Sequence, residues 1–471
     1  KNSTIFKKQE RKRKKSAEKI SKLARILLYI KVRFRSRDSF NKKDDTGICE
    51  KRKERTSMSE YQLMTEDQRD MVKLVKDFLM KEYLPHVSEY EAKGEYPLEF
   101  HKKLGELGLF AMDVPEEYGG LGLDAVTTCL IREAIGYVDA GFASSFAAST
   151  FGIKPVLLAG TEEQKKAYGA RLAEGQISAM CLTEPQSGSD MGNTKCRAVK
   201  DGDEYVLNGT KCFITNGGIA DIYTVAASTS PELGSAGISL FIVDRNTPGV
   251  SVGKEEDKLG IRTSNTTDVI FQDVRIPATN LIGEENKGFA ISQKLLARTR
   301  PTGMASALGV AQRALDLAVD YAQQRVTFGK PIASRQAIKF KLADMEIRLQ
   351  TARAQLFYNA QLIDKGIYDG MLGSVTKTCV SEMVFDVANQ ALQIFGGYGY
   401  SREYPVEKLL RDARIFSLFE GTNEIQRMII GGTLVPEKRE TKKADRMIEN
   451  KGELRCFGKN MKTCFWKEKT M

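Results

Sequence analysis

EYVLNGTKCFITNGG, residues 204–218, interrupts a chain whose apolar residues otherwise recur at helical spacing. β-Branched and aromatic residues crowd it, and Asn208-Gly209 between EYVL and TKCFIT is a hairpin signal. Phe213 and Thr215 stand two residues apart, the spacing that puts two strand side chains on one face. Short runs of the same texture surround it: IYTVAAS, ISLFIVD, GVSVG and TDVIFQDVRI, divided by Gly, Asn, Asp and Pro. Residues 176–285 therefore predict a middle domain that is an antiparallel β-barrel or sandwich.

On either side the period returns to that of a helix. In DMVKLVKDFLMKEYL, Met71, Val72, Val75, Phe78 and Leu79 form one stripe, and FHKKLGELGLF, DAVTTCLIREAIGYV and TEEQKKAYGARLAEG continue the pattern. Residues 58–175 predict an N-terminal α-helical domain, with YGGLGLD (118–124) as a loop. Beyond the β domain, RPTGMASALGVAQRALDLAVDYAQQ and QAIKFKLADMEIRLQTARAQLFYNAQLIDKG are long enough for core helices of a C-terminal four-helix bundle, residues 286–435. The order α, β, α lacks strand–helix alternation. It argues for an α+β multidomain protein and against a doubly wound sheet.

A chain of 471 residues is too long for one compact core. Its net charge of +11 is uneven: residues 1–57 carry 21 Lys and Arg against 7 Asp and Glu, residues 436–471 carry 11 against 6, and 58–435 is left at −8. An acidic body with basic ends argues against nucleic-acid binding, which needs clustered Lys and Arg on the folded surface. KKQERKRKKSAEKISK marks 1–57 as a basic, disordered extension ahead of a natural start at Met58, and 436–471, with Trp466, as a basic tail. A mitochondrial transit peptide is the competing reading of 1–57, against which its acidic residues count. The bacterial cytoplasm is the expected location, the mitochondrial matrix the alternative. No apolar run long enough to span a membrane is expected. Eight cysteines without a CxxC pair argue against a disulfide framework or zinc site.

His86 and His101 are the only histidines, so proton chemistry falls to carboxylates, Tyr or Lys. Four stretches each admit two readings. FGGYGYSREYP (395–405) is a helix cap with a turn, or a backbone approaching phosphate; RVTFGKP (325–331) is a helix stop, or an Arg, a Thr hydroxyl and a Gly amide for a pyrophosphate. CLTEPQSGSD (181–190) is a turn-rich loop, or one admitting a flat or anionic ligand. In FEGTNEIQ (419–426), Glu420 is a solvated residue at a helix start, or a carboxylate set beside a ring and a freely bending backbone. Phe213 and Thr215 likewise flank a flat heteroaromatic group, or are one core ring and one satisfied hydroxyl.

Together, in this order, GLFAMDVPEEYGGLG, TEPQSGSD, ITNGG, QRVTFGKP, QIFGGYGYSREYPVEKLLRDARI and FEGTNEIQR make residues 58–435 resemble the acyl-CoA dehydrogenase family, in its short- and medium-chain, butyryl-CoA dehydrogenase-like branch. The resemblance implies FAD between the β domain and the C-terminal bundle of a homotetramer. By it Thr183 and Leu182 contact the flavin ring, and Phe213, where many members have Trp, packs on the isoalloxazine beside Thr215. Arg325, Thr327 and Phe328 match residues that grip the FAD of a neighbouring subunit; Gln393, Gly397, Thr422 and Glu424 match further FAD contacts. Ser189, Arg300 and Gly421 match substrate contacts. Ala297 stands where relatives often carry an acidic residue near CoA.

Glu420 matches the catalytic base. Some members carry that base just before the arginine of LLARTRP (295–301), but here the position is Thr299. The implied reaction converts an acyl-CoA to the trans-2-enoyl-CoA: Glu420 takes the α-proton, flavin N5 the β-hydride, and electrons pass to electron-transfer flavoprotein. An apolar pocket should raise the Glu420 pKa. Alternatives are an enoyl-CoA reductase in an electron-bifurcating complex, an acyl-CoA oxidase, and an alkylation-response DNA-associated flavoprotein.

Overall fold

The computed structural model describes residues 64–436. The basic extension 1–57 and all but the first residue of the tail 436–471, Trp466 included, lie outside the described residues.

Among the described residues seven α-helices come first: α1 (Glu66–Phe78), α2 (Val87–Lys93), α3 (Leu98–Glu106), α4 (Ala125–Val138), α5 (Ala140–Ala148), α6 (Ile153–Ala159) and α7 (Glu162–Ala173). α1 begins at a capping box, the Thr65 hydroxyl accepting from Gln68 N–H at 3.2 Å and the Gln68 amide oxygen from Thr65 N–H at 3.0 Å. Its stripe buries Val72, Val75 and Phe78. Ala140–Ala159 is long and apolar enough by composition to cross a bilayer, although Lys154 lies within it. It is divided into α5 and α6, and 56% of its apolar window is buried inside the protein, as suits core helices.

The middle of the chain forms one seven-stranded sheet: β1 (Ser178–Cys181), β2 (Arg197–Asp201), β3 (Glu204–Thr215), β4 (Ile222–Ser228), β5 (Ile238–Asp244), β6 (Val250–Glu255) and β7 (Thr266–Pro277), in the order β1-β4-β2-β3-β7-β6 with β5 also on β4. Most pairs are antiparallel, but β4 runs parallel to both β1 and β2. Asn208-Gly209 is not a hairpin. The chain turns instead between Asp201 and Glu204, and β3 runs straight through Asn208-Gly209 with a register shift against β7. Gly209 is needed for approach rather than turning, since a Cβ there would stand 2.7 Å from Cys196 Cα. The Asn208 side chain bonds across to Asp273, donating from Nδ2 at 3.1 Å and accepting from the Asp273 N–H at 2.9 Å.

The C-terminal part holds α8 (Gly288–Gln324), a small hairpin of β8 (Val326–Thr327) and β9 (Lys330–Pro331), then α9 (Gln336–Asp364), α10 (Gly370–Phe395), α11 (Val406–Ala413) and α12 (Asn423–Leu434). Alanines 305, 307, 311, 314 and 318 of α8 and 388 and 391 of α10 are fully buried, small residues that let long helices pack closely. α4 meets α8 backbone to backbone. A Cβ on Gly136 would come within 2.6 Å of Ser306 Cα, and one on Gly309 within 2.8 Å of the Gly136 carbonyl carbon. This crossing ties the first helical region to the bundle. At the same three-part junction, buried Asp139 accepts from Tyr83 Oη at 2.6 Å and Lys408 Nζ at 2.7 Å.

Candidate active site

A cavity of about 1610 Å³ opens where the sheet, α4 to α6, α8 and the 418–422 turn converge. That exceeds the few hundred to about 1,000 Å³ of a pocket for one small ligand. Glu420 lines it from the turn between α11 and α12.

The local backbone explains its direction. Glu420 has φ 54° and Gly421 φ 86°, two successive left-handed residues, the first of them non-glycine. Such strain is held in place by its surroundings and concentrates at functional sites. Here the buried Gln426 holds the turn, its Nε2 donating to Gly421 O at 3.0 Å and Glu420 O at 3.3 Å. Thr422, not Glu420, caps α12 by accepting from Ile425 N–H at 3.4 Å. The reading of Glu420 as a solvated helix start is thereby excluded.

The carboxylate lies against α8, where a Cβ on Gly303 would stand 2.8 Å from Oε2. Oε2 is shut off from solvent and has no hydrogen-bond partner among the described residues. Burial drives its pKa up to about 7, against the opposing pull of the Arg132, Arg300 and Lys377 charges. Arg300 donates from NH1 to Ser374 Oγ at 2.9 Å, and burial lowers its pKa. Lys377 is wholly buried, donates to Asn423 Oδ1 at 2.7 Å, and is pushed by burial down to about 8. A carboxyl that titrates near 7, with one oxygen sealed from solvent and cations nearby, is suited to taking a proton from a weak carbon acid.

The sheet supplies the opposite wall. Phe213 exposes 64% of its surface to the cavity and has φ 54° at a bulge, where β3 and β7 shift register between Lys211 and Ile214. Phe213 and Thr215 both line the cavity, as their two-residue spacing predicts, although Phe213 does so from the bulge rather than from a regular strand. Leu182 and Thr183, just after β1, are brought beside this bulge by Cys212 N–H, which donates to Thr183 O at 2.9 Å. Lys211 Nζ donates to Leu182 O at 3.1 Å and to Glu184 Oε1 at 2.7 Å, both charged side chains fully buried. Glu184 also accepts from Lys195 N–H at 2.7 Å. Burial alone would raise its pKa, and the Lys211 charge overcomes that to hold it low. This ion pair organises the TEPQSGSD loop, whose Ser189 reaches the cavity.

The cavity thus gathers Leu182, Thr183, Ser189, Phe213, Thr215, Arg300, Glu420, Gly421 and Thr422. It does not gather Arg325, Thr327, Phe328, Gln393, Gly397 or Glu424. Within one chain these sit elsewhere. Phe328 is 94% exposed at the tip of the β8–β9 hairpin, with Arg325 over the Tyr398 ring at 5.2 Å from its centroid, and Gln393, Gly397 and Glu424 are exposed. Gly303 and the charged trio Asp113, Arg132 and Lys154 line the cavity without having been singled out in the sequence. The signals were a glycine inside a long helical run and a lone arginine in the apolar TTCLIREAIGYV.

Comparison with known proteins agrees with this architecture. The family descriptions "Acyl-CoA dehydrogenase, N-terminal domain", "middle domain" and "C-terminal domain" match residues 65–176, 179–274 and 286–435 in turn. The chain is 46% identical over 374 residues to an acyl-CoA dehydrogenase of Bacillus subtilis, covering 79% of this chain and 99% of the relative. The solved butyryl-CoA dehydrogenase of Megasphaera elsdenii superposes with a TM-score of 0.77 at 43% identity, over 79% of this chain and 98% of that one. A chain from the structure of the electron transferring flavoprotein of Acidaminococcus fermentans, described in terms of flavin-based electron bifurcation, gives a TM-score of 0.77 at 39% identity, over 79% and 99%. The exposed Phe213 ring flanked by Thr183 and Thr215, in a cavity too large for one small ligand, fits the flavin that members of this family bind. With its three successive domains and their fold, the chain belongs to the acyl-CoA dehydrogenase family of FAD-dependent oxidoreductases.

Proposed function

We propose that this enzyme removes the α-proton of an acyl-CoA thioester with Glu420 while the β-hydrogen leaves as hydride. The observation that carries the reading is the Glu420 carboxylate itself, with an unpartnered oxygen, a pKa raised to about 7 and a left-handed backbone that aims it into the cavity. Bound FAD supplies the hydride acceptor; Leu182, Thr183, Phe213 and Thr215 would hold its ring system.

A thioester α-proton is too weakly acidic for a free carboxylate, so the enolate charge must be met as it forms. The Glu420 N–H has no acceptor among the described residues and is the chain's own donor for the thioester oxygen. Gly303 leaves room for the carboxylate, Phe419 and the apolar walls keep water away, and the proton comes to rest on a Glu420 oxygen. Ser189 and Arg300 would serve the thioester's CoA portion.

Electron-transfer flavoprotein is the proposed acceptor. The exposed Arg325, Phe328, Gln393 and Gly397, with the half-buried Thr327, would complete the FAD site of a second copy in a homotetramer. Operation in reverse, as an enoyl-CoA reductase with a bifurcating partner, is favoured by one observation, the likeness to the Acidaminococcus fermentans chain. Anaerobic titration of the yellow holoenzyme with acyl-CoA thioesters tests the main reading: the flavin band should bleach with the wild type and stay unchanged with Glu420→Gln. A wild-type flavin that no thioester reduces would overturn it.

A further inference from the structure

An acyl chain made only of hydrocarbon would be expected to meet apolar side chains throughout its binding space. This cavity instead carries a buried arginine and two half-buried charged side chains on the face formed by the first helical region. Arg132 projects from α4 with 9% of its side chain exposed, and its NH2 lies 3.2 Å from Asp113 Oδ2. Lys154 Nζ, from α6, lies 2.8 Å from the same oxygen and 3.3 Å from the Asp113 carbonyl, with 16% of its side chain exposed. Thr150 Oγ1 donates weakly to Asp113 Oδ1 at 3.4 Å.

Two features of this trio point to a ligand. Two cations converge on one carboxylate, so the trio itself keeps a net positive charge, beside the apolar Ala147 and Phe151 and with Glu420 as the further carboxylate in the field of Arg132. And among the described residues Arg132 makes one hydrogen bond, to Asp113, although a guanidinium offers five donors. Its Nε is sealed from solvent with no partner among the described residues. A buried charge is normally paired and its donors satisfied. The α4–α8 crossing at Gly136 and Ser306 sets Arg132 and Gly303, hence Glu420, along one wall of the same space.

We propose that Arg132 and Lys154, positioned by Asp113, form a specificity subsite for the free carboxylate of an ω-carboxyacyl thioester. Such a carboxylate accepts from the guanidinium fork, neutralises the excess charge and leaves the carbon chain against the apolar wall. The assignment rests on the dehydrogenase reading of the cavity, because it gives the acyl group the space beside Glu420. The competing role for Arg132 is that of a counter-charge: its field lowers the Glu420 pKa whatever substrate is bound.

Binding and turnover separate these. In holoenzyme carrying Glu420→Gln, calorimetry would give Kd for succinyl-, glutaryl- and adipyl-CoA beside butyryl-, valeryl- and hexanoyl-CoA, with free CoA as a control for phosphate contacts. The carboxylate-tailed thioester of the best-fitting length should bind about tenfold to a hundredfold more tightly than its unsubstituted partner. That ratio should collapse in Arg132→Met and in Lys154→Met and return in part in Arg132→Lys, with CoA unaffected. The absence of a preference in the parent, a ratio that survives both Met variants, or an equal loss for free CoA would each overturn the subsite. So would an Arg132→Met enzyme with intact Glu420 in which both substrate classes shift equally along the pH axis at a constant ratio, the mark of a counter-charge only. Because Kd is read without turnover, failure of every thioester to reduce the flavin would count against the dehydrogenase reading and leave the subsite measurement standing.

Discussion

Glu420 rests on Gly303: a single methyl added to that glycine would stand 2.8 Å from Oε2 and closer still to Oε1. The base and a position in the middle of α8, 117 residues apart in sequence, therefore share one volume. Gly303→Ala should push the carboxylate off its position. Misplacing a reacting group by about an ångström costs on the order of a hundredfold in rate. Flavin reduction in stopped flow should slow by that order. Stability should hold or rise, since alanine is better than glycine inside a helix by about 1 kcal/mol. Unaltered reduction kinetics would show that the carboxylate moves freely over α8.

The pH dependence follows from the same carboxylate. Glu420 acts as a base only when ionised, so the rate of flavin reduction should rise through pH about 7 and level off above it. Lys377 pulls that value down, so Lys377→Met should carry the rise to higher pH. Stability has the opposite sign. A carboxyl whose pKa is raised on folding lends stability that is full below its ordinary 4.5 and is lost as pH climbs through about 7. Glu420→Gln should therefore melt higher than the wild type at pH 8 and nearly with it at pH 4. A melting difference that does not grow with pH would contradict the raised pKa.

The Lys211–Glu184 pair holds the loop that faces Phe213, and both partners are fully buried. Removing one partner leaves an uncompensated charge, at a cost of about 3–5 kcal/mol, whereas replacing both is far milder. Lys211→Met should lower the denaturation midpoint and release FAD during gel filtration. Lys211→Met with Glu184→Gln should recover most of the stability. If the double variant is as unstable as the single, the loop is held by something other than this pair.

How much of this could be seen in the chain depends on whether the cause was local. The change from helical to β period around residue 176 and back after residue 285 was visible because burial on one face imposes its period on the sequence. Glu420 was visible through its neighbours, although Phe-Glu-Gly-Thr alone fits a helix start equally well. The hairpin at Asn208-Gly209 failed because Gly209 serves the close approach of Cys196, a partner that no local rule supplies. Phe213 and Thr215 do share the cavity, but the bulge at Lys211–Ile214 that carries Phe213 was not legible in the two-residue spacing. Gly303, Arg132 and Lys154 were silent for the same reason as Cys196: their meaning lies in what other helices bring to them.

The α4–α8 crossing makes the strongest case for such non-local control. Gly136 and Gly309 allow the two backbones to touch, and a Cβ on Gly136 would come 2.6 Å from Ser306 Cα and 2.7 Å from its carbonyl carbon, neither of which can rotate away. Gly136→Ala must part the helices, and overpacking of this kind costs about 1–3 kcal/mol. Unlike Gly303→Ala, it should lower stability and slow flavin reduction together, because Arg132 and Gly303 ride on the two helices that separate. Gly309→Ala strains the same crossing, so the double variant should lose less than the sum of the singles. Chemical denaturation of the three variants, set beside their reduction rates, would test this. Full additivity, or a stability loss with an unchanged rate, would mean that the crossing supports the fold without setting the site.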